Sequence, residues 1–254
     1  MLCFVIGWRT IRCAVAWPNR RGAISLTFDD GLRNQIDNAL PLMKSYGIQG
    51  TFFLIQNPPD PYSPDFDELA WKRAVAVGNE IGSHSVSHRK AATMDYEACL
   101  YETSVSKKHF EAVFGRRITS FCYPYTDCPA TLQTAVRKAG YSQARAGRSI
   151  RANKLVSFDE KINRYALPSV HISEGQFYDG TVWSYIDEAM EKNAWVTFMF
   201  HAIEAHASDI GTPLGWDNVT AASFEKLMQV LSSLKKKEGL KVAPFGDIAR
   251  HLRH

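Results

Sequence analysis

Asp29 and Asp30 stand side by side in Thr27-Phe28-Asp29-Asp30-Gly31, and His84 follows Asp30 by 54 residues in Ser83-His84-Ser85-Val86-Ser87-His88. Two imidazoles four residues apart can curl toward one point. A carboxylate from a distant strand end then completes a facial set of two histidines and one aspartate, which binds a divalent metal and leaves positions open for water and substrate. That set activates water as a nucleophile. With Asp30 used as a ligand, its neighbour Asp29 is free to take the water's proton as general base. Alone, an Asp-Asp-Gly is ordinarily a solvated turn and a His-x-x-x-His pair a surface coincidence, so the weight rests on the elements that place them.

Those elements read as strand ends. Ala23-Ile24-Ser25-Leu26-Thr27-Phe28 is a short apolar, β-prone run stopped by Asp-Asp-Gly, and Glu80-Ile81-Gly82-Ser83-His84 is a second strand after a helix that stops at Gly78. Gly50–Ile55 predicts a buried strand preceded by a helix ending near Gly47, with Pro41 in that helix's first turn. Tyr96, Cys99, Leu100, Thr103, Phe110 and Phe114 fall on one side of a long helix closed by Gly115. Leu132, Ala135, Val136 and Ala139 mark another, closed by Gly140. The stretch from Arg145 to Lys192 has weaker periodicity and is expected to hold the most irregular part of the barrel, and Ala194–Phe200 restores a clear strand. Catalytic groups at the carboxyl ends of alternating strands and helices suit an α/β barrel.

Thr-Phe-Asp-Asp-Gly followed by Ser-His-Ser-x-Ser-His resembles the first two motifs of the polysaccharide deacetylases with a NodB-type homology domain, carbohydrate esterase family 4. The resemblance runs from Ala23 to the C-terminus. It implies a distorted (β/α) barrel, usually seven-stranded, as a single domain over residues 23–254 with residues 1–22 as an N-terminal extension. It also implies metal-dependent hydrolysis of acetyl groups, with Asp29 as base and Asp30, His84 and His88 as metal ligands.

Phe121-Cys122-Tyr123-Pro124-Tyr125 resembles the third motif, in which an arginine commonly stands at the place of Cys122 and a glycine at that of Thr126. The arginine orients the base in the family, so Asp29 is expected here to work without it, held by neighbouring backbone donors. Tyr125 matches the aromatic position whose backbone N–H helps hold the oxyanion. Phe198-Met199-Phe200-His201 resembles the last motif, in which His201 protonates the leaving group. The fourth motif, an Asp-Trp pair, has no counterpart in Ser142–Arg148, so no residue is assigned to tune His201. Trp216, in Gly215-Trp216-Asp217, is equally suited to stacking on a pyranose ring and to capping the core. His206 reads as a surface residue.

Composition agrees. At 254 residues with 45% hydrophobic content the chain has the size of one barrel domain. A net charge of +4 with dispersed basic residues, apart from Lys235-Lys236-Lys237 at a helix end, gives no reason to expect nucleic acid. Five cysteines (Cys3, Cys13, Cys99, Cys122, Cys128) without Cys-x-x-Cys spacing argue against a disulfide framework or a cysteine zinc site. Ala14-Val15-Ala16 has the spacing of a signal cleavage site, but Arg9 and Arg12 interrupt the apolar stretch before it. No run approaches the roughly 18–20 apolar residues of a membrane span.

The expected function is a metal-dependent deacetylase acting on N-acetyl groups of a glucosamine-containing glycan. Zinc is the first choice of metal, and cobalt, nickel or manganese suit the same ligands. Two rivals stand beside it: an O-acetyl xylan esterase or other amide hydrolase on the same fold, and a carbohydrate-binding barrel without catalysis. The five intact residues Asp29, Asp30, His84, His88 and His201 speak against the last.

Overall fold

The short, β-prone run before Asp29 forms β1, Ala23–Asp30, with every residue buried, as expected of a strand covered on both faces. The computed structural model describes residues 21–59, 66–147, 154–207 and 218–253. After β1 come a π-helical turn at Gln35–Ala39, α1 (Leu40–Ser45), β2 (Thr51–Leu54), α2 (Glu68–Ala76), β3 (Glu80–Ser83), α3 (Tyr96–Phe114), β4 (Ser120–Cys122), α4 (Ala130–Lys138) and β5 (Gln143–Arg145). The second half contains β6 (Val156–Ser157), β7 (Val170–His171), α5 (Glu174–Tyr178), α6 (Thr181–Glu191), β8 (Ala194–Phe200), β9 (Ile203–Glu204), β10 (Val219–Thr220), α7 (Ala221–Lys237), β11 (Lys241–Val242) and α8 (Phe245–Ala249).

Strands pair in the order β5-β4-β3-β2-β1-β8, all parallel. On the far side of β8, β7 is parallel and β6 antiparallel. The segment entering β7 bonds back to β5, with Leu167 N–H donating to Ala144 O at 3.0 Å and Ala146 N–H to Leu167 O at 2.7 Å. The sheet therefore curls into the distorted (β/α) barrel of a single α/β domain. Among the described residues the sheet has nine strands, β6 and β11 joining β1, β2, β3, β4, β5, β7 and β8, with β11 parallel to the start of β1, where seven were expected.

Helix ends follow local chemistry. Asp67 and Asp95 cap α2 and α3 by accepting from Ala70 N–H and Ala98 N–H, and Gly115 ends α3 at φ 61° in the left-handed region. The buried face of α3 combines Cys99, Thr103 and Phe110 with Glu102, Ser106 and Lys107, which hydrogen-bond to Val86 N–H, Glu102 O and Ile118 O. Between Arg145 and Lys192 the strands β6 and β7 are only two residues long, while α6 is a regular helix burying Val182, Ile186 and Ala189 at helical spacing.

The outer core layer is built on Phe28, stacked on Phe52 at 4.6 Å and Phe200 at 5.4 Å with Phe224 edge-on. A second cluster inside the curl contains Phe53, Cys122, Leu167, Trp195 and Phe245. Gly82 has to lack a side chain, because a Cβ there would lie 2.4 Å from the Phe53 ring. Phe28 and Phe200 are register partners, so the next residues, Asp29 and His201, emerge together at the ends of neighbouring strands. Among the described residues no helix is long and apolar enough to cross a membrane.

Candidate active site

Five non-glycine residues adopt left-handed backbone conformations around these strand ends: Asp30 (φ 75°), Ser85 (72°), His88 (53°), Tyr125 (55°) and Thr126 (61°). Such conformations cost free energy and persist where surrounding contacts impose them, commonly at functional sites. At Asp30 the turn ends β1, and at Ser85 and His88 it curls the loop after β3 back on itself.

The curl brings Asp30, His84 and His88 together. Asp30 Oδ1 lies 3.5 Å from His84 Nε2 and 3.6 Å from His88 Nε2, all three side chains being buried. Two ligands on a tetrahedral ion at about 2.1 Å stand about 3.4 Å apart. The donors are thus spaced as edges of a coordination shell, and the cluster fits a divalent-metal site. The tautomer agrees. His84 Nδ1 is 2.9 Å from Cys122 O, a pure acceptor, which puts the proton on Nδ1 and leaves the Nε2 lone pair toward Asp30. Burial lowers His84 to about 4 against the opposing pull of Asp29, and burial followed by His84's charge lowers His88 to about 3. Both rings are therefore neutral near pH 7, as metal ligation requires.

Two residues that the sequence reading passed over hold this arrangement. Glu102, buried on α3, accepts hydrogen bonds from Val86 N–H (2.9 Å), Ser87 N–H (2.9 Å) and Ser87 Oγ (2.6 Å), fixing the loop between the histidines. Ser85 Oγ accepts from His88 N–H at 3.0 Å. Gln35, fully buried, donates from one Nε2 to the carbonyls of both Asp29 (2.5 Å) and His201 (3.0 Å). It ties the end of β1 to the end of β8.

Asp29 is not without an arginine, which corrects the expectation drawn from Cys122. Arg145, at 0% exposure on β5, donates from Nη2 to Asp29 Oδ1 at 2.5 Å and also reaches Oδ2. Its Nη1 donates to Ser169 Oγ at 3.0 Å. Burial pushes the Asp29 carboxyl up, but Arg145, with His84 and His201 behind it, brings it below its ordinary value. The carboxylate is held ionised within 4.8 Å of a His84 ring nitrogen. No signal in Ser142–Arg148 pointed to this arginine, because the pairing joins residues 116 positions apart.

His201 packs against the ring of His171 on β7, with centroids 5.8 Å apart, so an imidazole occupies the surroundings where no fourth-motif residue could be assigned. Tyr125 is 48% exposed, its ring 4.6 Å from that of His88 and beneath Lys90 Nζ at 5.3 Å. His206 is exposed. Trp216 lies outside the described residues.

The sequence model of the polysaccharide deacetylase family matches residues 17–144, half of the chain. The chain belongs to this family. It is 32% identical to a chitin deacetylase of a Pestalotiopsis species over 133 residues, 52% of this chain and 43% of that protein. It is 31% identical to a peptidoglycan-N-acetylglucosamine deacetylase of Bacillus cereus over 102 residues, 38% of this chain and 45% of the other. The chain spans less than half the length of these curated relatives. In fold it resembles the Xyl-CE4 domain of a multidomain xylanase from the hindgut metagenome of Trinervitermes trinervoides, with a TM-score of 0.60 and 18% identity over 91% of this chain and 90% of that one.

Proposed function

We propose that this member of the polysaccharide deacetylase family hydrolyses N-acetyl groups of a glucosamine-containing poly- or oligosaccharide in a metal-dependent reaction, with residues 23–254 as the catalytic domain. One observation carries the reading: a three-donor metal set stands beside a separate carboxylate, Asp29, that a buried arginine keeps ionised. A purely structural metal site has no use for that second, non-ligating carboxylate.

Asp30, His84 and His88 would hold the ion. Zinc suits two imidazoles and one carboxylate best, while cobalt, nickel and manganese share the preference in part. When bound, the ion supplies Lewis acidity toward a water and the acetyl carbonyl. Asp29 accepts the proton that the attacking water gives up. The Tyr125 backbone N–H donates to the oxygen that gains charge as the carbonyl becomes tetrahedral. His201 in its protonated form, across the β1–β8 pair from Asp29, gives its proton to the departing nitrogen, so that a neutral amine and acetic acid result, and the acid then ionises to acetate. Trp216 provides a face for a sugar ring.

The relatives favour the N-acetyl reading, since a chitin deacetylase and a peptidoglycan-N-acetylglucosamine deacetylase are both named for amino-sugar substrates. The test is acetate release by the zinc-loaded protein from penta-N-acetylchitopentaose and from acetylated xylan. Release from the chitooligosaccharide supports the proposal. Release from xylan alone makes the protein an O-acetyl esterase on the same residues, and release from neither contradicts a catalytic role on both glycans.

A further inference from the structure

Arg145 on β5 and Cys122 on β4 are direct register partners in a parallel pair. Side chains at partnered positions of neighbouring strands leave the sheet on the same face, with backbones about 4.8 Å apart. A long side chain rooted at either position can therefore put its end in one place. Here the guanidinium comes from β5, flanked by the Asp29 carboxylate, Ser169 Oγ and the Phe53 ring, whose centroid is 5.4 Å from Arg145 Cζ. Cys122 Sγ lies only 2.7 Å from Arg145 Nη2 and 3.7 Å from Asp29 Oδ2, so the thiol fills what is left of that space. A larger side chain at 122 would overlap the guanidinium while Arg145 stays.

We infer that Arg145 is the positioning residue for Asp29, and that positions 122 and 145 are an exchangeable pair in which one strand supplies an arginine and its neighbour a small side chain. The inference rests on the proposed role of Asp29. Arg145 touches no substrate in this scheme; it fixes the direction of a buried carboxylate that has few other donors. Removing it leaves that charge buried and free to swing from the water it must meet, an error of about 1 Å being worth about a hundredfold in rate.

The test uses zinc-loaded Arg145→Ala, Arg145→Lys, Cys122→Arg and the exchange variant C122R/R145C, assayed on penta-N-acetylchitopentaose and acetylated xylan. Arg145→Ala should lose about a hundredfold in kcat with KM and zinc content near wild type, because Asp29 is not a ligand. Millimolar methylguanidinium should restore part of the loss, and Arg145→Lys should fall between. Cys122→Arg alone should be impaired by crowding, and the exchange variant should recover about tenfold or more over Arg145→Ala. Full kcat in Arg145→Ala, or an exchange variant no better than Arg145→Ala, would overturn the inference. If the wild-type protein releases acetate from neither glycan, the proposed function fails separately, and thermal midpoints still decide the pair. Cys122→Arg should lower the midpoint when residue 145 is arginine and raise it when residue 145 is alanine. A shift of the same sign in both backgrounds contradicts the exchange.

Discussion

The Glu102 carboxylate holds Ser87 twice, accepting from its backbone N–H at 2.9 Å and from its hydroxyl at 2.6 Å. Ser87 adjoins His88, so a helix one layer outside the site dictates where the second imidazole lies. Glu102→Ala should weaken zinc binding about 10- to 100-fold, the usual effect of losing an outer partner of a metal ligand. Glu102→Gln should retain more, since an amide oxygen still accepts from the loop and its NH2 can donate to Ser87. Titration calorimetry with zinc reads the difference, and unchanged affinity in Glu102→Ala would refute the role.

Gln35 makes a different prediction, because it touches the backbones of Asp29 and His201 and none of the three donors. Gln35→Met keeps the volume but removes the donor from two buried carbonyls, at a cost of about 1–3 kcal/mol of stability. Turnover should fall about tenfold or more while zinc affinity stays near wild type. A loss of zinc affinity without a loss of kcat would reverse the assignment.

Glu80 sits at the other end of the barrel, accepting from Ser120 Oγ (2.5 Å), Thr51 Oγ1 (2.7 Å) and Gly246 N–H (2.8 Å). Burial raises its pKa above the ordinary 4.5, outweighing the hydrogen bonds that lower it. A group whose folded pKa is raised contributes stability that is present below its unfolded pKa and lost as pH rises through the folded value. The stability of Glu80→Gln relative to wild type should therefore improve between pH 4 and pH 8. Urea midpoints at the two values measure it, and a variant that loses ground to wild type as pH rises contradicts the shift.

The sequence showed the parts of the fold and site that announce themselves locally. Asp29, Asp30 and His201 stand at the ends of apolar, β-prone runs and His84 at the end of a short strand after a helix stopped by Gly78, with His88 one short loop beyond, so strand and site are read from the same few residues. Arg145, Glu102 and Gln35 could not be read this way. Gln35 reaches His201 across 166 positions and Arg145 reaches Asp29 across 116, distances over which spacing carries no information until the sheet curls. Glu102 sits among the apolar residues of α3, where a carboxylate looks like an interruption until the loop amides it serves are in place. The short strands between Lys154 and His171 are held by pairing to β8, and a two-residue strand has no periodicity to recognise.

In the proposed reaction Asp29 acts as a base beside a metal held by Asp30, His84 and His88. Acetate release from penta-N-acetylchitopentaose by wild type, Asp29→Asn and His84→Ala, each with zinc content determined on the same sample, tests it most directly. Asp29→Asn should keep its zinc and lose turnover by about three orders of magnitude or more, while His84→Ala should lose both. An Asp29→Asn protein that is zinc-loaded and turns over at the wild-type rate would contradict it.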